Sequence, residues 1–72
     1  MMSPNEIQKV QAYLQHKFGQ PEMILRKRKV DDSVEVLLKG EFLGVLYKDE
    51  DEGEISYDFN MAILEVDLNE VA

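Results

Sequence analysis

The stretch Asp49-Glu50-Asp51-Glu52-Gly53 gathers four carboxylates beside a glycine, which is the composition of a calcium-binding loop. An EF-hand loop takes acids at positions 1, 3 and 5, Gly at 6 and Glu at 12. Counted from Asp49, position 5 is Gly53, position 6 is Glu54 and position 12 is Asn60. The register fails and no helix pair flanks it, so an acidic hairpin loop in solvent is the better reading. No metal ligand is assigned.

Arg26-Lys27-Arg28-Lys29 is a candidate basic strip, because clustered cations neutralise phosphate and release counterions. Against nucleic acid stand the net charge of −7 and the absence of aromatic residues interleaved with the cations to stack on bases. A charged edge strand facing Glu35, Glu54 or Asp58 is the simpler expectation. His16 is the only histidine. It falls near the end of an expected helix, where a cation suits the dipole. No nucleophile, metal-ligand spacing, phosphate-binding glycine loop or redox pair accompanies it. Tyr47, Tyr57 and Met61 read as core residues, or, if exposed, as a protein-binding patch. No catalytic or cofactor-binding residue is assigned, and no cofactor is expected.

These groups sit in a chain of 72 residues without cysteine, 44 % hydrophobic and 32 % charged. One small α+β domain with frayed ends is expected, and a domain of this size buries only roughly 60 % of its unfolded surface. With disulfides and thiolate zinc closed to it, self-association is the remaining support. Residues 1 to 30 hold six basic side chains against Glu6 and Glu22, whereas residues 31 to 72 hold Lys39 and Lys48 against thirteen acids. So acidic a surface repels nucleic acid and anionic membrane on average. No apolar run approaches the ~18 residues of a membrane span, and the polar start lacks a secretory core. A cytoplasmic location is expected.

Ser3, Pro4 and Glu6 mark the start of a helix with a capping box, and Ile7, Val10, Leu14 and Phe18 form its apolar stripe. Gly19 stops it. Met23 to Val30 is a first strand, Asp31-Asp32-Ser33 a turn, and Val34 to Lys39 a second strand closed by the Lys39-Gly40-Glu41 hairpin. Phe42 to Lys48 is a third strand with two apolar faces, Phe42 and Leu46 on one and Leu43, Val45 and Tyr47 on the other, which belongs at the centre of a sheet. Gly44 within it signals a bulge or a close backbone approach.

The longest alternation, Ile55, Tyr57, Phe59, Met61 and Ile63, makes Glu54 to Leu64 a fourth strand whose apolar face takes the helix. The phase then shifts to Leu64, Val66 and Leu68, which a bulge and an extra bent strand segment would explain, a short helix from Asn60 being the weaker alternative. The expected architecture is an N-terminal helix on a four-stranded antiparallel meander, α-β-β-β-β. One helix covers one sheet face. The other must be closed by residues 64 to 71 or by another chain.

The motifs Ser3-Pro-Asn-Glu-Ile7, Tyr13-Leu-Gln-His-Lys-Phe18, Asp31-Asp-Ser-Val-Glu-Val36, Gly40-Glu-Phe-Leu-Gly-Val45, Asp49-Glu-Asp-Glu-Gly53 and Ser56-Tyr-Asp-Phe-Asn-Met-Ala-Ile-Leu64 cover nearly the whole chain. Together the chain resembles an alphaproteobacterial family known only as a domain of unknown function, DUF3126. The resemblance implies a small bacterial cytoplasmic protein and no functional residues.

The leading functional expectation is a non-enzymatic interaction module, self-associating as a homodimer and meeting a protein partner of unknown identity. Its candidate surface is Leu43, Val45 and Tyr47 with Leu64 and Val66. The alternatives are a nucleic-acid-associated protein using Arg26 to Lys29, and a small enzyme or ligand carrier using His16 or the tyrosines.

Overall fold

The computed structural model describes residues 2–29 and 32–71. In chain order it holds α1 (Pro4–Phe18), β1 (Met23–Lys27), β2 (Ser33–Leu38), β3 (Glu41–Asp51), β4 (Glu54–Asn60) and α2 (Glu65–Val71). The strands form one antiparallel sheet in the order β1-β2-β3-β4. The expected α+β meander is therefore present, with a second helix added.

Helix α1 begins as its sequence dictates. The Ser3 hydroxyl accepts from the Glu6 amide at 3.1 Å, and the Glu6 carboxylate accepts from the Ser3 amide at 3.0 Å. Pro4 occupies the first turn, and Gly19 closes the helix in the left-handed region at φ 62°. Leu14 is buried, Ile7 and Val10 pack on the core, and Phe18 stays 52 % exposed.

The helix is also tied to the outer edge of β1. Gln15 donates through Nε2 to the Met23 carbonyl at 2.8 Å, and Gln11 Oε1 accepts from the Leu25 amide at 2.9 Å. Two glutamine side chains thus satisfy backbone groups that an edge strand would otherwise leave bare. The core beneath is Met2, Leu14, Met23, Val34, Val36 and Leu46.

The ladder register sorts the two faces, since directly opposed residues point the same way. Val36 opposes Gly44, but Leu37 opposes Phe42, so Leu43 is the extra residue of a β-bulge. The bulge corrects the expected faces of β3. Phe42 turns outward beside Leu37 instead of inward with Leu46, and Leu43 packs against the core. Gly44 is required by a close approach: a Cβ there would strike the carbonyl oxygen of Asn60 and lie 3.0 Å from the Met61 Cα.

β2 is shifted one residue from its expected bounds, to Ser33–Leu38, and three further boundaries differ from expectation. β1 ends at Lys27, so Arg28 and Lys29 lie beyond it, while Val30 and Asp31 of the expected strand and turn fall outside the described residues. The acidic loop is almost all strand, because Asp49, Glu50 and Asp51 pair with Ser56, Ile55 and Glu54. Only Glu52 and Gly53 turn, at φ 51° and 81°, as a two-residue hairpin with both central residues at positive φ demands.

The third difference is the tail. β4 stops at Asn60, and the expected bent strand through Leu64, Val66 and Leu68 is replaced by α2. Local capping decides this: the Leu64 amide donates to Asp67 Oδ2 at 3.0 Å and the Asp67 amide to the Leu64 carbonyl at 2.9 Å. Glu65 and Asp67 also place negative charge in the first turn. The helix leaves Leu64, Val66 and Leu68 at 56–58 % exposure, so it does not close the second sheet face.

Candidate interaction sites

Two apolar recesses and one polar cluster distinguish the surface. The first recess is a groove of about 680 Å³ on the helix-covered side, between α1 and β4. Its walls are Val10 and Tyr13 from α1 and Ile55, Tyr57 and Phe59 from β4, over a floor of Leu46. It exists because α1 is drawn towards β1 by Gln11 and Gln15, which leaves the β4 side of the same face only partly covered. Tyr57 and Phe59 still reach the core, as their alternation requires, whereas Ile55, Met61 and Ile63 of the same series are more than half exposed.

At one end of this groove lies the polar cluster. Lys48 continues the inward phase of Val34 and Leu46, and its side chain is only 11 % exposed. Its ammonium sits 2.8 Å from Glu6 Oε2 and 3.4 Å from Glu50 Oε1. The Tyr57 hydroxyl donates to the same Glu6 oxygen at 2.6 Å. Glu6 therefore uses one oxygen to cap its helix and the other to hold β3 and β4.

The hydrogen bond from Lys48, then that from Tyr57, pulls the Glu6 carboxyl down from its ordinary 4.5 to about 2. The bond to Glu6 in turn raises both Lys48 and Tyr57 above their ordinary values. At neutral pH the carboxylate is ionised, the amine protonated and the phenol neutral. That combination suits a clamp between helix and sheet, since neither a free base nor a neutral nucleophilic amine is offered.

Sequence reasoning missed this cluster. The available signal was Lys48 itself, a lysine two residues after Leu46 and so on the buried phase of its strand, next to a helix whose first turn carries a single acid.

The second recess, about 580 Å³, lies on the outer sheet face and along the tail. Here the structure brings together Leu43, Val45, Tyr47 and Leu64, four of the five residues assigned from sequence to an interaction surface, with Phe42 and Met61 beside them. Leu43 is shared between this recess and the core because of the bulge. Val66 is not part of it and stands 57 % exposed on α2.

The basic strip is not brought together as one surface. Arg26 is engaged by Glu35 across the β1–β2 ladder, donating through Nε at 2.8 Å and Nη2 at 2.6 Å to the same carboxylate oxygen. Lys27 follows on the opposite face, and Arg28 donates to the Ser33 hydroxyl at 3.5 Å. His16 is exposed in the last turn of α1. Among the described residues, no group of three or more His, Asp or Glu is arranged to hold a metal ion. No helix of the described residues is long and apolar enough to cross a membrane.

With this geometry in place, the chain belongs to the DUF3126 family of proteins of unknown function, whose family model matches residues 6–67. Glu6, Lys48 and Tyr57 all fall within the matched span. No curated protein and no solved structure gives a significant match to the chain.

Proposed function

We propose that this is a non-enzymatic protein-interaction module of a bacterial cytoplasm, and that it self-associates as a homodimer. The observation that carries the reading is the apolar surface that the single chain leaves uncovered. Phe42 and Tyr47 on the outer face, and Met61, Ile63, Leu64, Val66 and Leu68 in the tail, are each between 43 and 67 % exposed. Isolated exposed apolar residues are ordinary, but a run of them continuous with a recess marks a contact surface.

The thin core supports the same reading. Among the described residues, apart from Leu37, which is buried on the outer face, the buried apolar side chains form one small cluster under α1. In a chain without disulfides, a second copy supplies missing burial at no cost in new sequence. The test is sedimentation equilibrium of the full chain at micromolar concentration. A mass near twice 8.3 kDa is the expected result, and a monomer across that range removes the proposal.

A further inference from the structure

The chain carries an unfilled apolar groove on one side and an uncovered apolar helix on the other. The groove between α1 and β4 exposes Tyr13 and Ile55 at 60 and 55 %, with Lys9 among its lining residues. Leu68 of α2 and Leu64, the residue just before the helix and four positions earlier, are 56 and 58 % exposed. We propose that in the self-associated form α2 of one copy lies in the α1–β4 groove of the second copy, and reciprocally. This rests on the self-association proposed above and adds its geometry.

Charge favours that occupant. α2 carries Glu65, Asp67 and Glu70 and no basic residue. Lys9 has no ionic partner among the described residues, whereas Lys48, the other cation of the groove, is already held by Glu6 and Glu50. Size agrees as well. A seven-residue helix rises roughly 10 Å, and a groove of about 680 Å³ has room for its leucine anchors.

The competing geometries are worse on physical grounds. Pairing two β4 edges antiparallel in the register centred on Ser56 would set Glu54 of each copy opposite Asp58 of the other, where like charges repel. The β1 edge is occupied by Gln11 and Gln15. Insertion of α2 into its own groove is opposed by the path of the chain. Leu64, four residues past the end of β4, already lines the recess on the outer face, while the groove opens on the helix-covered face. A two-fold exchange buries the α1–β4 groove and the exposed face of α2 in both copies in one step.

The chain has no cysteine, so single cysteines report proximity without background. Tyr13→Cys and Leu68→Cys both replace exposed side chains. Mixed and exposed to a mild oxidant, these two chains are expected to form the unlike disulfide pair in preference to either like pair. Leu68→Asp and Ile55→Asp, each at an exposed position, are expected to weaken dimerisation by roughly 10- to 100-fold, the range for burying one large aliphatic side chain. A dimer of unchanged affinity in either variant overturns the exchange and leaves self-association standing. So does a Leu68→Cys chain that couples to Tyr47→Cys instead. A Tyr13→Cys/Leu68→Cys double variant that closes its disulfide within one chain likewise overturns the exchange, and a wild-type chain that stays monomeric overturns it along with its premise.

Discussion

The Tyr57 hydroxyl donates to Glu6 Oε2 at 2.6 Å, joining the last strand to the first turn of the first helix across 51 positions of sequence. With Lys48 on the same oxygen at 2.8 Å, this is where helix, central strand and edge strand are pinned together.

The pin dictates an acid limb of stability. Glu6 titrates at about 2 in the fold against an ordinary 4.5, so folding favours its ionised form. Its contribution is complete above pH 4.5 and is lost as pH falls through about 2. Thermal melts across that window are expected to show a falling midpoint in the wild type and a shallower fall in Glu6→Gln, whose midpoint at pH 7 is lower. Equal slopes for the two proteins would refute the clamp.

An alkaline limb follows with the opposite sign. Lys48 and Tyr57 are raised above 10.5 and 10.0, so their stabilising, protonated forms are fully present below those values and are lost as pH rises beyond them. In Tyr57→Phe the tyrosine part of this loss should vanish, and ultraviolet titration of the wild type should find one of its tyrosines ionising late.

Gly44→Ala is expected to destabilise by roughly 1–3 kcal/mol, the cost of forcing extra volume into a packed site. A Cβ at this position meets backbone at Asn60 and Met61 as well as the Phe59 ring at 3.0 Å, so no single side-chain rotation relieves it. Urea unfolding measures the effect, and a neutral result would mean that β4 can shift away from β3.

The Arg26–Glu35 pair is exposed, with side chains 63 and 28 % accessible. Losing this pair, as in Arg26→Ala, should therefore cost no more than about 1 kcal/mol; Arg26→Glu, which sets two acids directly opposite, should cost more, and the added change Glu35→Arg should restore much of it. The same single variant should leave the mobility of RNA and duplex DNA unchanged at physiological salt. Affinity that is present in the wild type and lost in Arg26→Glu would reinstate the basic strip as a nucleic-acid surface.

Glu52 holds φ 51° at the first central position of its turn, a conformation that costs an ordinary residue roughly 1–2 kcal/mol. Glu52→Asn supplies the residue that such turns prefer and removes one charge from an acidic run. A rise in unfolding free energy of about 0.5–1 kcal/mol is expected, checked by urea titration.

What could be read in advance follows from what is local. The capping box at Ser3 and Glu6, the stop at Gly19, the pairing order and the close approach at Gly44 each arise from residues near in sequence or from a simple period. Phe42 faces outward, and Leu43 reaches the core as well as the outer recess, because a bulge is one residue inserted into an otherwise unbroken alternation, and nothing in Phe42 to Val45 marks it except the glycine. The helical tail is hidden in the sequence because Leu64, Val66 and Leu68 satisfy period two, while the Asp67 carboxylate that caps a helix there is one side chain among many acids. The Glu6–Lys48–Tyr57 junction was invisible because its members meet only after the meander has folded.

The glutamines that seal β1 set a limit on growth. A sheet with one blunt border and one bare border can couple to a neighbour only once, because two bare borders that meet leave two blunt ones facing outward. Strand-to-strand joining through the β1 border first has to displace the Gln11 and Gln15 bonds, which works against lengthening into a fibre. Removing Gln11 and Gln15 would take away that terminus.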